Sequence, residues 1–200
     1  YEVTGDMIYT RKDLQNQLKG MSLCPTDSIL IHSSMKAMGN IEGGADTVLD
    51  ALMEYFSQGL LLLPTHTWAQ MGEEYRVFDP VQEDACVGIL PNLFRKRPGV
   101  CRSLHSTHSV AAYGAGAEEY IAGEEENNTP CTPGGCYDRL KDINGRILLV
   151  GVTHARNTFI HGVEEVLNIP NRLTEKPVEF YTVMPDGSRK KIFMRRHYNA

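Results

Sequence analysis

The sequence lacks any apolar run long enough to cross a bilayer. Its longest, Gly59-Leu60-Leu61-Leu62-Leu63-Pro64, falls well short of the roughly 20 residues a membrane helix needs and reads as a buried strand. A basic region followed by an apolar stretch is also missing at the start, where Glu2 and Asp6 stand instead, so no secretory signal is legible and the expected compartment is the cytoplasm. Cationic charge is not in surplus: 20 Lys and Arg against 25 Asp and Glu leave a net charge of -5. Nucleic-acid binding, which draws on clustered Lys and Arg, is therefore not expected, and an acidic surface suits a cationic ligand better. Cysteine is sparse and unpatterned. Cys24, Cys86, Cys101, Cys131 and Cys136 are odd in number and form no Cys-x-x-Cys pair, which favours reduced, partly buried thiols over a disulfide framework or a zinc site. Repeats, low-complexity tracts and linkers are absent as well.

What is present reads as one domain over residues 1–200, with 42% hydrophobic and 22% charged residues. Thr10 and Asp13 form a capping-box pattern ahead of Leu14 and Leu18, and Gly20 ends that helix. Ser28–His32 is a short apolar strand, the loop Ser33–Gly44 feeds a helix carrying Val48, Leu49, Leu52, Met53 and Phe56, and Leu60–Leu63 is the next strand. Helix, strand, helix, strand predicts an α/β fold with a parallel pair joined by a crossover. Val87–Phe94 and Ala115–Ile121 read as helices, Arg102–Ala112 as a strand and Gly123–Gly135 as an exposed loop. Arg146–Val150 reads as the clearest buried strand, with a helix over Asn157–Leu167 beyond it. Val178–Val183 and Lys190–Met194 flank the turn residues Met184–Ser188 and predict an antiparallel hairpin.

Three segments place reactive groups just past strand ends, where open α/β sheets bind ligands. The first runs from His32, Ser33, Ser34 and Met35 to Gly39, Gly43 and Gly44. Its backbone N–H groups and the following helix dipole suit a phosphate, although the spacing matches no dinucleotide or Walker fingerprint and an ordinary turn fits equally. The second joins Thr65, His66 and Thr67 to the run from Arg102 through His105, His108 and Ser109. Carboxylate partners and zinc-hydrolase spacings are missing there, so histidines bonded to backbone or ligand are expected and a metal is not. The third is Thr158-x-x-His161-x-x-Glu164-Glu165. Three-residue spacing on a helix sets imidazole and carboxylate side by side, the combination used for a general base; a solvated helix face gives the same spacing.

In order and wording these segments resemble the aminoglycoside 3-N-acetyltransferase family. The resemblance is carried by His32-Ser33-Ser34-Met35 with Gly43-Gly44, by Leu63-Pro64-Thr65-His66-Thr67, and by Phe78-Asp79-Pro80. It continues through Pro98-Gly99-Val100, Arg102-Ser103-x-His105-x-x-His108-Ser109, Leu148-Leu149-Val150-Gly151 and Thr158-x-x-His161-x-x-Glu164. It implies a central mixed sheet with parallel core strands flanked by helices and a C-terminal antiparallel hairpin, unlike the commoner acetyltransferase fold. It further implies acetyl transfer from acetyl-coenzyme A to the 3-amino group of an aminoglycoside, without a metal or a membrane partner. His161 would be the general base, Glu164 its orienting partner, and Thr158, Ser34 or backbone N–H groups the oxyanion donors. Coenzyme contacts would come from His32, Ser33, Ser34, Met35, Gly39, Gly43, Thr65, His105 and Ser109, and the cationic acceptor would meet Asp79, Glu164 and Glu165. Ser106 stands where members usually carry proline, and members as a rule continue through a C-terminal segment beyond the length of this chain. A homodimer is left open. The alternatives are an enzyme of the same fold acting on another amine, a silent coenzyme A binder, and a metal-dependent hydrolase using His66, His105 and His108.

Overall fold

A computed structural model describes residues 7–198; the reading of the N-terminus built on Glu2 and Asp6 lies outside them. The elements run β1 (Ile8–Tyr9), α1 (Arg11–Gly20), β2 (Ser28–Ser33), β3 (Asn40–Ile41), α2 (Gly44–Tyr55), β4 (Leu60–Pro64), β5 (Val77–Phe78) and α3 (Ile89–Phe94). They continue with β6 (Cys101–Arg102), β7 (Val110–Gly114), α4 (Ala117–Ile121), α5 (Cys136–Arg139), β8 (Arg146–Val150), α6 (Phe159–Val166), β9 (Val178–Val183) and β10 (Arg189–Met194). The main sheet has the order β6-β7-β4-β2-β8. Strands β4, β2 and β8 are parallel, while β7 and β6 add an antiparallel extension beside β4. This is the mixed α/β sheet anticipated, with the C-terminal hairpin β9-β10 forming a second sheet that β5 joins on the β9 side.

Alternation along the central strands explains the layering. Leu61 and Leu63 of β4 and Ile29 and Ile31 of β2 enter one core with Val48, Leu49, Leu52 and Phe56 of the α2 region, whereas Leu60, Leu62 and Leu30 enter the opposite core with Tyr120, Ile121, Tyr137 and Leu140. Side chains two apart on a strand share a face, so a run of consecutive leucines supplies both faces at once. Each such burial contributes roughly 1.5–3 kcal/mol. A third, smaller core of Met71, Phe78, Phe180 and Met194 lies under the hairpin.

Three local expectations are corrected. Arg146–Val150 is half-buried rather than fully buried, because β8 is the edge of the sheet and, among the described residues, pairs only with β2. Arg102–Ala112 is two strands: residues 103–109 leave the ladder and turn inward around buried His105 and His108. The segment Gly123–Gly135 is irregular but not wholly exposed, since the carboxylate of buried Glu124 accepts hydrogen bonds from the Cys136 amide and the Asn127 side chain. As anticipated, α1 carries the capping box between Thr10 and Asp13 and ends at Gly20.

The parallel strands β4, β2 and β8 all end on one edge of the sheet. From that edge emerge Thr65–Trp68, the loop Ser34–Gly43 and the connection into α6.

Candidate active site

The turn after β8 depends on Gly151. At its positive φ of 68° a Cβ would lie 2.6 Å from the Ala37 Cβ and 3.1 Å from the Ser34 carbonyl, so no larger side chain fits. A short 3-10 turn over His154–Arg156 then leads into α6, with Thr158 at the N-cap. The predicted pair forms on that helix. His161 Nδ1 lies 2.8 Å from Glu164 Oε2, which also accepts from Arg172 at 2.9 Å. Burial by itself would raise the Glu164 carboxyl, but the hydrogen bonds from His161 and Arg172 outweigh it and hold the group below its usual range. With Nδ1–H directed at a carboxylate, the Nε2 lone pair of His161 is free.

His161 and Thr158 line a cavity of about 280 Å³ at the sheet edge. Opposite them stand His66 and His108, from the ends of the antiparallel β4–β7 pairing, and His197, from just past β10. The rings form a series: His161 to His197 at 4.4 Å, His197 to His108 at 5.0 Å, and His108 to His66 at 4.5 Å between centroids. The series ends on the buried Tyr137 hydroxyl, 2.5 Å from His66 Nε2. Burial first, and then the neighbouring histidines, push His66 and His108 well below the ordinary imidazole value. His197 Nε2 lies 3.1 Å from Glu165 Oε1, a second imidazole–carboxylate pair beside the first.

The model of the family described as Aminoglycoside 3-N-acetyltransferase matches residues 30–199. The chain belongs to that family. Aminoglycoside N(3)-acetyltransferase VII of Streptomyces paromomycinus is 30% identical over 209 residues, covering 94% of this chain and 70% of its own length. Among solved structures, that of aminoglycoside acetyltransferase AAC(3)-Xa superposes with a TM-score of 0.82 at 27% identity, over 95% of this chain and 72% of the other. The structure titled AAC-IIIb binary with CoASH has the same TM-score at 24% identity, over 96% and 76%, and is similar in fold. The resemblance read from the motifs is thus a family membership, its named relatives are acyltransferases, and the fold is theirs.

The remaining sequence-derived candidates fall into distinct places. His32 is buried, its Nε2 has no protein partner, and burial lowers it to about 4. Ser33 and Ser34 are half-buried at the end of β2, and the Ser34 amide donates to the Val150 carbonyl. Met35 packs against the α2-side core, while Gly39 and Gly43 are exposed with positive φ. Gly43 precedes the uncapped N-terminus of α2.

Thr65 and Ser109 are fully buried and bonded to each other, and together they hold the Arg102 guanidinium. His105 is committed on both nitrogens: Nδ1 accepts from the Thr107 and His108 amides, and Nε2 donates to the Thr129 carbonyl. A metal held by His66, His105 and His108 would have to break those bonds. Ser106, at the proline position, is buried and shares a hydrogen bond with the Thr182 hydroxyl.

Two acidic groups are placed away from the cavity. Asp79 accepts from the Val81 and Gln82 amides in its own turn, and Glu165 is only 4% exposed, accepting from the Cys131 amide and His197. The ligand atoms of Cys131, Glu165 and His197 lie within 4.8 Å of one another, a spacing compatible with a metal ion. Sequence reading had no signal for His197, Arg156 or Arg196. Arg195-Arg196-His197 and His154-Ala155-Arg156 match no motif spacing, and only the tertiary fold brings these groups to the cavity.

Proposed function

We propose that this chain transfers the acetyl group of acetyl-coenzyme A directly to an aliphatic amine, with His161 as general base. The observation that carries the reading is the His161 ring at the cavity wall with Nδ1 on Glu164, leaving Nε2 as the proton acceptor. A protonated amine must lose a proton before it can attack, and an oriented imidazole performs that step. The amine nitrogen then bonds to the thioester carbonyl carbon and the carbon–sulfur bond breaks; of the two protons the ammonium nitrogen loses on becoming an amide, one passes through His161 to the departing thiolate and the other goes to solvent. Glu164 fixes the ring and stabilises the imidazolium, while Thr158 or Ser34 steadies the developing oxyanion.

Coenzyme binding falls to the loop between β2 and α2. The buried, partnerless His32 Nε2 and the uncapped start of α2 are polar groups left over for a ligand. Ser33, Ser34, Gly39 and Gly43 border them in sequence, whereas Thr65, His105 and Ser109 act as a fixed wall. The relative titled as binary with CoASH supports this choice of co-substrate. No metal is needed for the scheme. Residues 1–200 are taken as one acetyltransferase domain, acting in the cytoplasm; no helix among the described residues is long and apolar enough to cross a membrane.

Membership supports an aminoglycoside as acceptor, with the 3-amino group as the position acetylated. The test is thiol release from acetyl-coenzyme A with an amine acceptor, and NMR of the product to read the site of acetylation. His161→Ala is expected to lose about 10²–10⁴-fold in turnover; near-normal turnover in that variant rules out its role as base.

A further inference from the structure

Behind the wall that His197 presents to the His161 cavity, three segments remote in sequence converge. Cys131 comes from the irregular stretch between α4 and α5, Glu165 from the last turn of α6, and His197 from just past β10. Their ligand atoms, a thiol sulfur, a carboxylate oxygen and an imidazole nitrogen, lie within 4.8 Å of one another. The group is shut in: Cys131 is 2% exposed, and the side chains of Glu165 and His197 are 4% and 13% exposed. His197 lines the His161 cavity and Glu165 lines a second one of about 250 Å³, so the cluster forms the partition between the two.

The bonds already made there leave ligand capacity over. Glu165 Oε1 accepts from the Cys131 amide at 2.9 Å and lies 3.1 Å from His197 Nε2, whereas Oε2 is buried and, among the described residues, has no partner. A carboxylate oxygen shut away from water without a donor is costly and asks for a cation or a proton donor. The Cys131 thiol is spent only on a long 3.9 Å contact to the Thr158 carbonyl.

Thiolate, imidazole and carboxylate together are the donor set of zinc, while calcium and magnesium select oxygen ligands alone. With bonds of about 2.0–2.3 Å, tetrahedral zinc holds its ligand atoms roughly 3.3–3.8 Å apart, so closing the cluster asks for about 1.5 Å at most. The charges match as well. Thiolate and carboxylate carry one negative charge each against the two positive charges of the ion, and the thiol proton is released to solvent on binding.

We infer that Cys131, Glu165 and His197 form a zinc site, with water in the fourth position. It is separate from the set His66, His105 and His108, in which His105 is bonded through both nitrogens. The ion is a structural tie: it joins the α4–α5 connection, α6 and the end of the hairpin, and it fixes the His197 ring, 4.4 Å from that of His161. Acetyl transfer does not run through it, and the site stands whether or not that reading of the cavity holds.

The experiment uses the whole chain, stripped with EDTA under reducing conditions and reloaded with cobalt(II) or zinc. Cobalt in a tetrahedral thiolate site shows intense visible bands and a sulfur-to-metal charge-transfer band, and one equivalent is expected to produce both and to be displaced by zinc. Cys131→Ser should abolish the charge-transfer band, while Glu165→Gln and His197→Gln should each weaken zinc binding at least about tenfold. Replacing the exposed thiols Cys24 and Cys86 by serine should leave the band in place. Zinc at about a hundredfold above its Kd should raise the thermal midpoint by roughly 5–10 °C, a shift lost in Cys131→Ser. A cobalt complex without the charge-transfer band, or a band that survives Cys131→Ser, overturns the inference. So does zinc that binds without raising the midpoint, and where a ligand variant fails to fold, the parent's cobalt spectrum and midpoint shift decide alone.

Discussion

Glu164 divides one carboxylate oxygen between two partners, His161 Nδ1 and the Arg172 guanidinium, and so it is charged and fixed before any ligand arrives. Glu164→Gln keeps the shape but offers an amide in place of that charge. Turnover is expected to fall by at least about 10²-fold, with acetyl-coenzyme A binding unchanged by calorimetry, since the charge acts on the imidazolium and not on the coenzyme. Collapse of coenzyme affinity would place Glu164 in the wrong site. This pair was legible in the sequence because a helix turns a three-residue spacing into a contact. The partners across the cavity were not. His197 and Arg196 sit about thirty-five residues further along, after a hairpin, and no local rule of spacing links them to His161. Thr65, His105 and Ser109 carry the family's wording but direct their polar atoms into the protein, a distinction that only burial and bonding partners reveal.

Among the elements, the ones with strong local grammar were read correctly: α1 by its capping box, β4 by its leucines, and the β9–β10 hairpin by Asp186-Gly187. The strand β8 shows the limit. An apolar run states that a strand exists, but whether it is central or at an edge depends on how many neighbours it finds, and β8 finds one. The junction of β4 and β7 makes a sharper prediction. Gly114 has a φ of 104°, and a Cβ there would lie 2.2 Å from the Gly59 carbonyl oxygen, itself the acceptor for the Ala115 amide. Gly114→Ala is therefore expected to destabilise the protein by about 2–3 kcal/mol, through strain and the loss of that close pairing. Urea unfolding checks it; a midpoint equal to that of the parent would mean the strand ends can part without cost. Thr10→Ala, which removes only the α1 cap, should cost about 1 kcal/mol in the same assay.

At the scale of the molecule, the histidines at the sheet edge couple the site to global stability. His32, His66 and His108 all have native values depressed by burial, to about 4 for His32 and well below the ordinary value for the other two. In the unfolded chain each returns to an ordinary imidazole value near 6.5, so below that pH the unfolded state binds protons that the folded state refuses. Their contribution is complete above pH 6.5 and is lost as the pH falls toward the native values. Each refused proton costs about 1.4 kcal/mol per pH unit, and three acting together give a slope of about 4 kcal/mol per unit. From pH 6.5 to 5 that slope removes about 6 kcal/mol, comparable with the lower end of the about 5–15 kcal/mol typical of a whole domain. The measurement is a series of urea-unfolding curves from pH 7.5 to 5.5. A steep fall beginning near pH 6.5 is expected, and replacing His32 by Asn should shallow it by about a third, in keeping with one proton in three. A stability that stays level down to pH 5.5 would mean these buried rings are free to charge inside the fold.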